Sequence, residues 1–484
     1  MERVQAEAIY EQGREAVVAV LLELSAQNAR LVAQVEVLTA RVARQEERIA
    51  QLERKTKRSS RNSSLAPSQN PPGGSPSRGR DPSGRKQGAQ SGHEGKGRPL
   101  LPAWRVDEFV DHWPSECGCG HLFGEHERVP AGDPARHQVE DLPVMATLVT
   151  EHRCQRLCCP SCGRRSRGEL PGEVAQSAFG PRFHAAVAVL CTRNRISRRD
   201  VVELCEQLFG ARVASGTVDA ILARVADALG DPYEDLLERV RAAQGLNMDE
   251  TGWRTSGQRR ALWGAFTDRH AVLAIAAARH EDHARELLGD TSAIVTSDRW
   301  WAYSHLPAGR RQICWAHLLR DFQAHAEGLA AEKAFGEHGR QICERLFWAW
   351  DISQHTHDRR DLKLAIRSLR RELKPILRTY SRKAPRYKYT RGMARNLLKI
   401  WPALWTFADH PQVQPTNNHA ERALRSAVIY RKLSLGTQSD TGERRIERLL
   451  SAHTTCRLQH RSLHAYLIDA FSAHARGDPV PLLT

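Results

Sequence analysis

Between residues 58 and 98 the chain reads RSSRNSSLAPSQNPPGGSPSRGRDPSGRKQG and continues in the same vein, and no other feature limits its fold as much. Ser, Pro and Gly dominate, with eight basic and two acidic side chains. Such a segment cannot bury enough apolar surface to offset its ordering entropy, so 58–98 reads as a disordered basic linker. Its charge suits loose, salt-sensitive contacts with phosphates, or simple solubilisation.

Before the linker, residues 1–57 carry a heptad. Val17, Leu21, Leu24, Asn28, Leu31, Val35, Leu38, Val42, Gln45, Ile49 and Leu52 follow one another in steps of four and three, and nine of the eleven are apolar. That repeat predicts a coiled-coil leucine zipper, with Asn28 at an a position where a buried amide selects a parallel, in-register dimer. A long amphipathic helix folded back on its own domain is the alternative.

The chain has 484 residues, enough for roughly two to four domains. Its formal net charge of +16 makes a polyanion the first partner to consider, either nucleic acid or an anionic membrane. No apolar run approaches 18 residues, which argues against a membrane span, and MERVQAEAIYEQ lacks the apolar core of a secretory signal. Eleven cysteines, odd in number and unevenly spaced, fit a reduced intracellular protein with one metal site better than a disulfide scaffold.

Six of those cysteines fall within 99–175, which reads as a small zinc-binding module. Cys117-Gly-Cys119-Gly and Cys159-Pro-Ser-Cys162-Gly lie about 40 residues apart. Zinc takes four thiolate or imidazole ligands in a tetrahedron, and Cys117, Cys119, Cys159 and Cys162 are the expected set for a structural Zn²⁺. The first pair has only one residue between its sulfurs, and Cys154, Cys158 and His121 are further candidates. Residues 176–243 read as a helical, helix-turn-helix-like DNA-binding domain, with a turn at Phe209–Ser215 and Ser215 as N-cap of the second helix. Arg193, Arg195, Arg198 and Arg199 would then face a phosphate backbone. A helical bundle that merely packs explains the pattern equally well.

From 244 to 484 the texture is α/β. GLNMDETGWRT reads as a short strand ending in acids, RRALWGAFTDRHAVLAIAAARH as a hairpin, and TSAIVTSDRWWAY as a strand running into an acid. RRQICWAHLLRDF leads from strand to helix, 318–410 is helical, and a last pair of helices holds NNHAERALRSAVIYRK and GERRIERLLSAHTTCRL. Asp249 closes one expected strand and Asp298 another, and Glu421 sits on a helix that begins after Pro415. Acids so placed can converge although distant in sequence. Carboxylates a few ångströms apart repel unless a divalent cation lies between them, so a two-metal phosphoryl-transfer site is one reading. Separate caps and surface ion pairs are the other. Trp300 and Trp301 beside Asp298 read as core residues or as stacking platforms, and the same holds for Trp348, Trp350, Trp401 and Trp405.

Taken in order, the zipper, RSSRNSSLAPS, the cysteine module, MDETGW, TSDRWWAY, CWAHLLRDF and NNHAERALR followed by RK resemble the insertion-sequence 66 family of bacterial transposases, of the DDE class. The resemblance runs across nearly the whole chain. It implies a ribonuclease-H-like catalytic domain with a helical insertion at about 322–412, and Asp249, Asp298 and Glu421 as the catalytic acids holding two Mg²⁺ (or Mn²⁺) ions. It implies DNA cleavage and strand transfer on double-stranded DNA, both the element's ends and the target. A homodimer or higher oligomer through the zipper, accessory proteins of the element and a cytoplasmic, nucleoid-associated bacterial setting follow from it too. His317 and Arg320 would contact the scissile phosphate or the acids, although His317 also suits a core. Arg422, Arg425, Arg431 and Lys432 would offset phosphate charge, or simply be solvated. The C-x-C pair, Arg299 after Asp298, and LSLGTQSDTGERRIERLL mark a divergent subgroup.

Two rivals stand beside this. Arg461, His464 and Tyr466 in HRSLHAYL suggest a tyrosine-type recombinase, and a zipper with a zinc module and a helix-turn-helix would suffice for a non-catalytic DNA-binding regulator.

Overall fold

A computed structural model describes residues 3–56, 63, 99–143, 145–383 and 388–484. The expected linker at 58–98 lies outside the described residues apart from Ser63. The described residues form a multidomain, mixed α/β protein of 16 α-helices and seven strands, gathered in two compact units. One is built from residues within 1–75, 154–201 and 215–484, the other from residues within 76–153 and 202–214. Cys117 and Cys119 fall in the smaller unit, and Cys159 and Cys162 in the larger.

The smaller unit has little regular structure over 99–153, and residues 202–209 give it most of one helix. Gln138 ties it locally, its amide bonding both the N–H and the C=O of Leu101 at 2.7 and 3.0 Å. Trp104, Phe109 and Leu148 stay exposed, so apolar burial contributes little here.

In the larger unit, a short helix α1 (Arg3–Glu11) leads into α2 (Arg14–Thr56), a single 43-residue helix that carries the heptad. Leu21, Leu31, Val35, Leu38, Val42 and Ile49 are all exposed along it. The stretch Arg14–Ile49 includes an 18-residue window of mean hydropathy 1.4, so by length and composition alone this helix could cross a membrane. That qualifies the expectation drawn from unbroken apolar runs, because the window averages over scattered polar residues such as Glu23 and Asn28.

The strands β1 (Arg156–Cys158) and β2 (Arg165–Arg167) make a small antiparallel hairpin around the second cysteine pair. Then come α3 (Gly172–Ala175), α4 (Pro181–Thr192), α5 (Arg198–Phe209), α6 (Ser215–Ala228) and α7 (Gly230–Arg241). Val218, Ile221, Leu222, Val225 and Ala226 of α6 are buried, at helical spacing, while Ser215, Gly216 and Asp227 are exposed and Thr217, Asp219, Ala220, Ala223 and Arg224 are half-buried. The apolar face of α6 packs on α4, α7 and two later helices, Asp440–Leu458 and Leu463–Arg476.

The sheet is built from β3 (Gly245–Thr255), β4 (Gln258–Phe266), β5 (Ala271–Ala276), β6 (Ile294–Ser297) and β7 (Arg311–Ile313), with α8 (Glu281–Leu288) between β5 and β6. Its order is β5-β4-β3-β6-β7: β3, β4 and β5 form an antiparallel meander, and β6 and β7 add in parallel. Asp249 therefore lies in the middle of β3 and does not close it. The strand runs on because Ser256-Gly257, with φ of 48° and 76°, makes a two-residue turn that pairs Thr255 with Gln258. Asp298 does follow the last residue of β6 directly.

The helical stretch after β7 comprises α9 (Trp315–Ala326), α10 (Ala330–Thr356), α11 (Arg360–Ser381), α12 (Lys388–Lys399) and α13 (Thr406–Asp409). Its apolar core includes Phe322, Phe335, Ile342, Leu369, Trp401 and Trp405, and it is continuous with Ile294 and Ile313 of the sheet. Trp401 and Trp405 thus take the core role, and Trp348 is exposed instead. The last helices are α14 (Asn418–Ser434), α15 (Asp440–Leu458) and α16 (Leu463–Arg476), one more than the expected pair. Ala420, Ala423, Leu424 and Ala427 of α14, spaced by three and four, pack with Ile446 and Leu450 of α15 on Trp253, Leu262 and Phe266 of the sheet.

Candidate active site

The pleat of β3 sends successive side chains to opposite faces. Leu246, Met248 and Glu250 are buried on one face, and Asn247, Asp249 and Thr251 point to the other, where α14 lies. Asn417, just ahead of α14, fixes that helix to the strand: its side chain donates to Met248 O at 2.7 Å and accepts from Asn247 Nδ2 at 2.9 Å. Its own N–H donates to Cys314 Sγ at 3.1 Å, and Trp315 N–H donates to Pro415 O at 2.8 Å, so the start of α9 joins the same clamp. Glu421 is the first residue whose N–H bonds back to Asn417 O, one turn into the helix. His419 anchors the other side through Nε2 and Thr267 O at 2.8 Å.

Asp298 turns out of β6 with Oδ1 accepting from Trp300 N–H at 2.8 Å, while the buried Arg311 guanidinium donates to Asp298 O at 2.8 Å. Burial pulls Arg311 down to about 10, opposed chiefly by the charge of Asp298.

Asp249, Asp298 and Glu421 come together electrostatically. The carboxyl of Asp249 is held well above the ordinary carboxylate range, first by burial and then by the charges of Glu250, Asp298 and Glu421. Glu250, on the opposite face, is also raised by burial and by Asp298. It is already engaged, by the Tyr303 hydroxyl at 2.5 Å and the Arg279 guanidinium at 3.0 Å. Two residues of α9 one turn apart reach Glu421: His317 Nδ1 and the Arg320 guanidinium each stand 3.6 Å from its oxygens. Glu421 Oε1 and His317 Nδ1 are buried without a hydrogen bond. Among the described residues, no three His, Cys, Asp or Glu side chains are arranged as a ready-made metal site.

Of the other residues singled out, Arg422, Arg425 and Lys432 are exposed on α14. Arg431 is turned inward and donates to Thr251 Oγ1 at 3.1 Å and to Gly252 O. Arg193 and Arg199 are exposed, Arg198 pairs with Asp219 at 2.7 Å, and Arg195 is half-buried with a φ of 60°. Trp300 and Trp301 are not core residues: they are 39% and 47% exposed, because the turn after Asp298 hands the core position to Tyr303.

Each cysteine pair sits on its own tight turn. Cys117 N–H bonds to His121 O and Gly120 N–H to Cys117 O, both at 2.8 Å. Cys159 N–H bonds to Arg164 O and Gly163 N–H to Cys159 O, again at 2.8 Å. The thiols of Cys119 and Cys159 are lowered, chiefly by backbone N–H groups of His121 and of Ser161. Tyr466 is buried, and its hydroxyl donates to Pro481 O at 3.0 Å, which takes away the nucleophile that a tyrosine recombinase would need.

The central strand of the sheet, the end of its neighbour and the covering helix thus each carry one of the three acids. The model of the IS66 transposase family matches residues 176–445, which takes in all three acids. The chain belongs to the IS66 transposase family. A second model, described as a family of unknown function, matches residues 15–99. A comparison with the curated proteins finds no match.

Proposed function

We propose that this chain is a DDE transposase: it binds the ends of its element, cuts DNA phosphodiesters there to free a 3′-hydroxyl, and joins that hydroxyl to a target phosphate. The observation that carries the reading is the placement of three acids on one sheet and its covering helix, Asp249 within β3, Asp298 directly after β6 and Glu421 in the first turn of α14, with the charges of Asp298 and Glu421 both acting on Asp249 after burial and Glu250. An antiparallel three-stranded meander extended by two parallel strands supports a ribonuclease-H-like catalytic domain, with α9 to α13 as the helical insertion between Asp298 and Glu421.

The chemistry of the donors suits two Mg²⁺ or Mn²⁺ ions held by Asp249, Asp298 and Glu421, since these are carboxylate oxygens and the buried Glu421 Oε1 accepts no hydrogen bond. Bound there, such ions would lower the pKa of water and neutralise charge on the phosphate oxygens. The chain's own residues orient the acids. Asn417 sets the height of Glu421 over β3, Arg311 holds the backbone of Asp298, and His317 and Arg320 keep the Glu421 carboxylate aimed inward. Arg422, Arg425 and Lys432 line the exposed side of α14 for the DNA backbone, with Arg193 and Arg199 as further phosphate contacts. Trp300 and Trp301 stand exposed beside Asp298, fit to stack on a splayed base.

Zinc on the cysteine turns has a structural role in this reading. Backbone N–H groups that favour a thiolate support it at each pair. The exposed apolar stripe of α2 supports a dimer through its coiled coil, which would hold two DNA ends in one complex. Helper proteins of the element and a cytoplasmic, nucleoid-associated setting complete the reading.

Divalent-metal dependence tests it against a non-catalytic regulator. Cleavage and strand transfer on end-containing DNA should require Mg²⁺ or Mn²⁺ and vanish in EDTA. Binding without cleavage in either metal would favour the regulator.

A further inference from the structure

Beyond the acids, β3 and β4 end in a basic cleft of about 530 Å³ that nothing in the catalytic reading uses. Arg254, Arg259, Arg260, Arg279 and Arg431 line it. Arg254 and Arg259 are directly opposite on neighbouring antiparallel strands, and both are exposed. Like charges in that register destabilise a hairpin, so the pair costs stability unless an anion sits against it. Arg431 leans over the edge of β3 at Gly252, where an added Cβ would meet its guanidinium at 3.3 Å. Burial and, after it, the charge of Arg279 push it below its ordinary range, and both cations line the cleft. Among the described residues, two acids pair with these five: Glu250, 3.0 Å from Arg279, and Glu443, 3.6 Å from a buried Arg260 Nε that has no hydrogen bond. Arg254 lies five residues along β3 from Asp249, about 17 Å at the strand rise, too far to share the phosphate at the acids.

We propose that this cleft is a second DNA-backbone site, which takes a phosphodiester of the bound duplex away from the reacting one. It rests on the DNA-processing reading above. Guanidiniums spread over a hairpin tip, the segment after β5 and the end of α14 match a repeating backbone better than a single small anion.

The test is fluorescence anisotropy on the full chain with a labelled 30-bp duplex of arbitrary sequence, titrated across salt. The variants are Arg254→Ala/Arg259→Ala, Arg254→Glu, and a control pair on α11, Arg367→Ala/Arg371→Ala. The double variant should bind about tenfold more weakly at 0.1 M salt, with the slope of log K against log salt shallower by roughly 1 to 2, near 0.9 per lost phosphate contact. Its Tm should not fall, because a repulsive pair is gone. Arg254→Glu should keep or raise the Tm, by facing Arg259 with an opposite charge, and still weaken binding. An unchanged slope in both cleft variants, or an equal change in the control pair, overturns the site while leaving the DNA-processing reading intact. A wild-type chain that does not bind duplex at all overturns both.

Discussion

Gly336 and Gly339, one turn apart on α10, set how closely that helix lies on α9. A Cβ at Gly336 would collide with the backbone N of Ala326, and one at Gly339 with the ring of Phe322. Helix propensity alone favours Ala over Gly by about 1 kcal/mol. Backbone has no rotamer to yield, so the clash wins: Gly336→Ala should destabilise by about 1–3 kcal/mol in urea unfolding, and an unchanged midpoint would contradict this packing. The same scale shows what the sequence could and could not disclose. Asp298 and Glu421 were legible, because a β-branched run ending in an acid and a helix start after Pro415 are local signals. The interior placement of Asp249 was not, since it depends on the Ser256-Gly257 turn extending β3. Trp300 and Trp301 suited a core or a stacking platform by size alone, and the core place goes to Tyr303, which bonds Glu250. Arg254 and Arg259 look like ordinary surface charges until the register pairs them.

Within a single element, α15 carries two ionisable groups, a half-buried Glu447 and a buried His453, that pull stability in opposite directions with pH. Glu447 is raised to about 7, chiefly by burial, although it accepts from Ile275 N–H at 2.5 Å. An acid raised in the folded state is uncharged there while the unfolded chain is already ionised. Its cost therefore appears as pH climbs from about 4.5 to about 7. His453 is lowered to about 4 by burial and by the charges of Arg457, Arg193 and Arg195, so its cost appears as pH falls from 6.5 to 4. The two offset each other in the wild type. Glu447→Gln keeps the acceptor for Ile275 and removes the titration. Relative to wild type it should gain on the order of 1–3 kcal/mol between pH 4.5 and 7.5, read from Tm against pH. A constant difference across that range would remove Glu447 from the account. Helix α6 teaches a related lesson. Its apolar face is buried against its neighbours, as both a packed bundle and a helix-turn-helix require, so the sequence pattern that suggested either reading is the same one.

At the level of the whole molecule, the exposed stripe of α2 and the cluster of acids demand partners of different kinds. The stripe has heptad spacing with Asn28 inside it, so light scattering should give a dimer or higher oligomer for the full chain. Leu31→Glu combined with Leu38→Glu should lower that order, and a wild-type monomer at micromolar concentration would contradict the coiled coil. The acids bear the central claim. The measurement that reaches it most directly is strand transfer on end-containing DNA with Mg²⁺, for wild type beside Asp249→Asn, Asp298→Asn and Glu421→Gln. DNA binding by each variant is followed in parallel. Each single change should reduce product at least a hundredfold while binding survives, as expected when electrostatic stabilisation of a developing charge is lost. Near-wild-type product from any one variant would show that this carboxylate does not belong to the active site.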